Sequence, residues 1–166
     1  MPNLTMNVQN SVTGIYQSVN LAEVIARLSG TGGVDFTTGT GDYQADLCYP
    51  ANRSLASNAA DLLDLAGSLV DPLGNTLTFV EVTAIVVRSD AANTTNLTLG
   101  NPGANGFFGP FGATTHTNII QPGGAVVLIA PKAGWPVTAG TGDILRIANA
   151  AGATANYSLI IIGRSA

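Results

Sequence analysis

The chain has 166 residues, room for one ordinary domain that buries ~70% of its unfolded surface and so can build a core without disulfides or a metal. Only 10% of residues are charged and the formal net charge is −4, which excludes charge-driven binding to a nucleic-acid backbone or an anionic membrane. With 46% hydrophobic residues, the composition is also the opposite of a disordered chain.

A single cysteine, Cys48, excludes an intramolecular disulfide and a Cys-based zinc site. The first basic residue is Arg27, so the start lacks the charged region of a signal peptide, and synthesis in the cytoplasm without export is expected. The densest apolar runs, 125–130 and 159–162, are strand-sized, whereas a membrane helix needs about 20 residues.

In chain order, residues 13–19 read as a short strand. Asn20 followed by Leu21, Val24, Ile25 and Leu28 has the i, i+3, i+4, i+7 spacing of a short amphipathic helix, with Glu23 completing a capping box and Gly30 ending it. A Gly/Thr-rich connection follows to Asp42. Residues 1–42 therefore read as an N-terminal arm with a short helix, and residues 43–166 as the main domain. The alternative is that the arm's strand joins the main sheet.

From Tyr43 onward the pattern is strand, turn, strand. The turn Asp71-Pro72-Leu73-Gly74-Asn75 launches a β-branched run at 76–88. Within it Leu77 and Phe79 share one face while Val80, Val82, Ala84 and Val86 share the other. That phase change signals a bulge or a strand buried on both faces. Further strands are expected at 96–99, 125–130, 144–148 and 157–162, with 149–154 as a hairpin connection for the last two. Residues 57–69 fit either a helix or a strand in which Leu63 and Leu65 point inward. Many short strands between Gly/Pro turns point to an all-β fold: a β-sandwich of jelly-roll type carrying the N-terminal helix and arm.

No catalytic constellation stands out, and the chain is expected not to be an enzyme. His116 is the only histidine; a triad would need a distant partner such as Asp143, and no nucleophile elbow is present. Asp35, Asp42 and Asp46 could contribute to a calcium loop or be solvated turn residues, and solvated turns are the expectation, so no metal is assigned. Gly39-Thr40-Gly41-Asp42 recurs as Gly140-Thr141-Gly142-Asp143, but neither continues into a phosphate-binding helix start. No cofactor or small-molecule ligand is expected. The candidate contact residues are the helix stripe Leu21, Val24, Ile25 and Leu28, and the loop aromatics Phe107, Phe108, Phe111 and Trp135. Those aromatics either present a contact surface or fold back to plug one end of the domain.

The run from Asp46 to Gly67 (DLCYPANRSLASNAADLLDLAG) resembles a segment of small tailed-bacteriophage virion structural proteins. The resemblance continues through Gly74-Asn75-Thr76-Leu77-Thr78-Phe79, Ala84-Ile85-Val86-Val87, Pro122-Gly123-Gly124, Ala130-Pro131, 137–143 and Ile160-Ile161-Ile162-Gly163. It spans residues 43–166, while the first 40 match poorly, and Cys48-Tyr49 departs from the family pattern. It implies a non-enzymatic head decoration or cement protein on the virion surface, with the major capsid protein as partner and no nucleic acid or membrane. It also favours a strand at 61–67. Capsid symmetry suggests a homotrimer, with the arm contacting a neighbour or the shell, or else docking on its own domain. The alternative function is a carbohydrate- or receptor-binding module of the phage tail that uses the loop aromatics.

Overall fold

The computed structural model describes residues 6–18 and 24–166, and the fold is all-β. Among the described residues the helical content is one 3-10 turn at Gly109–Phe111.

Strands β1 (Met6–Ser18) and β2 (Val24–Thr38) form one long antiparallel ribbon, in register from Met6–Phe36 to Ser18–Val24. This corrects the expected helix. Residues 19–23, including Leu21, lie outside the described residues, and from Val24 the chain is strand. A helix of two turns is nucleation-limited in water, whereas the same Val24, Ile25 and Leu28 gain a full ladder of cross-strand bonds in the ribbon. Residues 13–18 of the expected strand are the distal part of a longer one. β3 (Gln44–Ala45) pairs in parallel with the end of β2.

The rest of the chain contributes β4 (Leu47–Leu55), β5 (Ala60–Asp64), β6 (Leu69–Val70), β7 (Thr76–Leu77), β8 (Glu81–Ser89), β9 (Leu97–Gly100), β10 (Thr117–Ile120), β11 (Ala125–Ile129), β12 (Trp135–Pro136), β13 (Ile144–Asn149) and β14 (Ala155–Arg164). The first sheet runs β11-β8-β14-β4, with β12 also on β8; the second runs β10-β9-β13-β5. Among these eight longer strands, the first pairs with the last (β4 with β14), the second with the seventh (β5 with β13), the third with the sixth (β8 with β11) and the fourth with the fifth (β9 with β10). One hydrophobic cluster takes Leu55, Val82, Ile85, Val87, Leu159 and Ile161 from the first sheet and Leu63, Leu97, Leu99, Ile120, Leu145 and Ile147 from the second.

Several local expectations are decided here. Residues 60–64 are strand, with Leu63 inward and Leu65 buried just beyond, so the helical option for 57–69 falls. The run 76–88 is broken into β7 and β8. The phase change is a bulge: Ile162 pairs with Ala84 and Gly163 with Val82, leaving Thr83 as the extra residue. Thr83 is fully buried and donates its hydroxyl to the Ile162 carbonyl at 3.2 Å. Because of the bulge, Val82 on one side and Ile85 and Val87 on the other all reach the same core. Residues 149–154 do not close a hairpin, since β13 and β14 belong to different sheets. The buried Asn149 organises that crossing, its amide donating to the carbonyls of Leu55, Ala56 and Ala153 at 2.8–3.0 Å while its oxygen accepts from Thr95 at 2.6 Å.

Candidate interaction surfaces

The ribbon meets the body at its proximal end. Val8 and Phe36 are buried against Ala84 and Ile162, with Val34, Val86, Ile129 and Ile160 around them. These body residues lie on the outer face of the first sheet, opposite the main core. Strand 159–162 is covered on its second face by the chain's own ribbon. By Gly32 and Gly33 the ribbon is exposed, as are Asn7 and Gln9 on β1. Val24, Ile25 and Leu28 are strand residues paired with Ser18, Gln17 and Gly14, and Leu21 lies outside the described residues.

The link between ribbon and body is fastened by the C-terminal strand. Arg164 is buried, ion-paired to Glu81 at 2.7 Å, and donates to the carbonyls of Gln44 at 3.1 Å and Pro131 at 2.6 Å. Asp46 accepts from the backbone and hydroxyl of Ser165 at 2.9 and 2.5 Å, and Tyr43 donates its amide to Pro131 at 2.8 Å. A buried guanidinium is retained when paired and saturated with acceptors, as it is here. Sequence reasoning missed this latch because its partners are 33 to 120 positions apart.

The loop aromatics do not form one surface. Phe107 is buried, its amide bonded to the Ile144 carbonyl, and Phe111 and Trp135 pack half-buried against the core. Gly109 passes so close to Trp135 that a side chain there would strike the indole. Phe108 alone is exposed, at 42%. The loop plugs one end of the domain.

His116 places Nδ1 2.9 Å from the Phe111 carbonyl, and the buried Asp143 accepts the Gly140 amide at 2.5 Å, so each closes its own loop. In the first Gly-Thr-Gly-Asp copy Gln44 plays that part, accepting the Gly41 amide at 3.0 Å. Asp35 accepts from Asn7, and Asp46 is engaged as above, so these carboxylates do not converge. Among the described residues no three His, Cys, Asp or Glu side chains are grouped for a metal, and no helix is long and apolar enough to cross a membrane. Cys48 is half-buried, and burial pushes its thiol above the ordinary range.

Two open sheet faces complete the inventory. Beyond the ribbon, the outer face of the first sheet turns polar: Asn52, Ser54, Arg88, Asn156 and Ser158 line a shallow groove of about 570 Å³. At its rim Arg53 pairs with Asp61 at 3.3 Å and donates to the Tyr49 hydroxyl at 2.9 Å, while Tyr157 donates to Asp61 at 2.5 Å. Burial, then the bond to Asp61, pushes the Tyr157 hydroxyl well above the ordinary phenol range. The polar alternation of Asn52 and Ser54 in β4 was the available signal for this groove. On the second sheet, Leu62 and Ile119 stand 59% and 65% exposed at the two edges. Ile119 stands in a row with Thr98, Ala148 and Ala60, whereas Leu62 is paired directly with Arg146.

No family model, curated protein or solved structure matches the chain.

Proposed function

We propose that the chain is a non-enzymatic bacteriophage virion structural protein, a capsid decoration or cement subunit that binds the major capsid protein and stabilises the head shell. The observation that carries the reading is the strand pairing, first with last and inward to fourth with fifth, in two sheets around one core. That pattern is what a long antiparallel ribbon rolled on itself produces, the β-sandwich of a jelly roll, an architecture common in viral shells. Fold alone does not assign function. The ordered resemblance across residues 43–166 and the projecting N-terminal ribbon add the rest: a rigid body with a long arm suits attachment to a pre-built lattice. Homotrimers on the shell, formed through the arm, follow from capsid symmetry. Low charge and missing catalytic groups suit a part that holds rather than turns over.

Mass spectrometry and electron microscopy of purified particles test the reading. Many copies on the head are expected; absence from particles, or a single copy in the tail, overturns it. The second reading, a carbohydrate- or receptor-binding module, is favoured by the polar groove beside Arg88 and weakened by the burial of Phe107. Glycan-array binding that disappears in Arg88→Ala would promote it.

A further inference from the structure

We infer that the free edge of the first sheet, strand β11, pairs antiparallel with the β11 of a second copy of this chain about a two-fold axis at Val127. The inference goes beyond the virion reading: it stands on the edge itself and concerns a surface other than the N-terminal arm.

The two main sheets end in β11 and β4, and in β10 and β5. Three of these edges carry features that discourage pairing. β4 has Pro50 near its middle and the charged Arg53. β5 carries Asp61 and Asp64. β10 is only four residues long. β11 has none of these devices: Ala125-Val126-Val127-Leu128-Ile129 is uncharged, free of proline and in unbroken register with β8. Among the described residues nothing pairs with its other side. An edge of that composition is a template for another strand.

Backbone geometry and side-chain symmetry select a second β11 as that strand. Ser89 donates its amide to the Gly124 carbonyl at 2.9 Å and Ala130 donates to Thr83 at 2.8 Å, both pairs continuing the β11–β8 register. Bonded pairs alternate with non-bonded ones along an antiparallel ladder, so residues 124, 126, 128 and 130 are the ones turned to β8. Ala125, Val127 and Ile129 therefore present their N–H and C=O groups to the open side, where Val127 is 37% exposed. These three positions are symmetric about Val127. A two-fold axis there sets Val127 against its own copy and Ala125 against Ile129, small opposite large, with about six backbone hydrogen bonds. Pro122 and Pro131 bracket the strand and stop the pairing at both ends. The axis is normal to the sheet, so both copies keep the same face inward. Val126 and Leu128, half-buried at the rim of the main cluster, then meet Leu128 and Val126 of the second copy, and the two cores become continuous. Any extended segment could satisfy the backbone groups, but β11 also matches its own side chains on both faces. The contact is isologous, as a two-fold interface must be.

The test uses the full-length protein. In sedimentation velocity, Val127→Lys and Val127→Pro are expected to have half the mass of the parent with unchanged circular dichroism. The proline removes an amide that faces away from β8, so the chain's own ladder stays intact. Leu73→Lys, in an exposed turn, is expected to keep the parent mass. Residue-resolved amide exchange of the parent gives a reading that needs no variant. The amides of Ala125, Val127 and Ile129 are expected to be slowed about tenfold or more, alongside those of Val126 and Leu128 that bond β8. A free edge protects only the latter two. Val127→Cys, made together with Cys48→Ser, is expected to oxidise to a covalent dimer, because opposed residues of a bonded pair have Cα atoms about 5.5 Å apart. Ala125→Cys in the same background is expected to stay reduced, about 14 Å from its own copy. A parent with the mass of Val127→Lys, free exchange at 125, 127 and 129, or equal cross-linking from 125 and 127 overturns the inference.

Discussion

The two sheets are built of the same residue types but treat their outer faces differently. In the first, β8 and β14 are apolar on both faces where the ribbon meets them, Val82, Ile85 and Val87 facing one cluster and Ala84 and Ile162 the other. In the second, β9 and β13 alternate: Leu97 and Leu99 inward with Thr98 outward, Leu145 and Ile147 inward with Arg146 outward. Continuous apolar strands mark a sheet with a layer on each side; alternation marks a sheet with one face left to solvent or to a partner. The first sheet has its second layer in the ribbon. The second sheet has none from the described residues, and Leu62 and Ile119 are the exceptions to its alternation.

The largest expected effect comes from the inner layer that both sheets share. Ile161→Ala removes a fully buried side chain from the main cluster and should cost about 3–4 kcal/mol in urea unfolding. The outer layer of the same sheet should rank just below. Phe36→Ala should cost about 3 kcal/mol, because the ring is fully buried although it lies outside the main core. A loss under about 0.5 kcal/mol, the size of a surface change, would show that the ribbon does not cover this sheet in solution.

The bulge that lets β8 serve both layers can be tested at Gly163. A side chain there would run into the Glu81 carbonyl and the Phe79 ring, so Gly163→Ala should cost about 2–3 kcal/mol. A neutral result would mean that β14 can shift its register at little cost.

The smallest effect concerns the clasp that joins the sheets at their edge. Tyr157→Phe removes the bond to Asp61 and should cost about 1–2 kcal/mol at neutral pH. The Tyr157 hydroxyl is raised above its unfolded value, so its neutral form carries stability that is fully present below pH of about 10 and is lost as pH rises further. The gap between parent and variant should therefore narrow in alkaline unfolding titrations. A gap constant from pH 7 to the alkaline limit would remove the clasp from the account.

Much of this was legible in the chain itself. The placing of Leu63 and Leu65 on either side of Asp64, the turn at Asp71 to Asn75 and the phase change after Phe79 each express a local preference or a two-residue period. In the turn Asp71 accepts the amides of Leu73 and Asn75 at 2.8 Å, and the bonds from Asn75 hold its carboxyl below the usual range. The candidate contacts were less legible. The stripe from Leu21 to Leu28 fits a helix by spacing alone, and nothing local announces that residues 6–18 will pair with residues 24–36. Phe107 and Phe108 are neighbours of identical type, one buried and the other exposed, because loop conformation rather than composition sets which way each ring turns.

The sequence by itself determined a β-rich main domain with strands close to the observed ones at 96–99, 125–130, 144–148 and 157–162, inward-facing Leu63 and Leu65, and a chain poor in charge. Those properties follow from hydrophobic period, turn chemistry and composition, which act over a few residues. Only the tertiary structure decided which sheet each strand enters, that residues 149–154 cross between sheets, that the N-terminal region is a ribbon lying over the first sheet, and that Arg164 is buried as a latch. Each of these rests on partners tens of residues apart, joined by backbone pairing that every residue type can make, and so they are chosen by the whole packed fold rather than by any one segment.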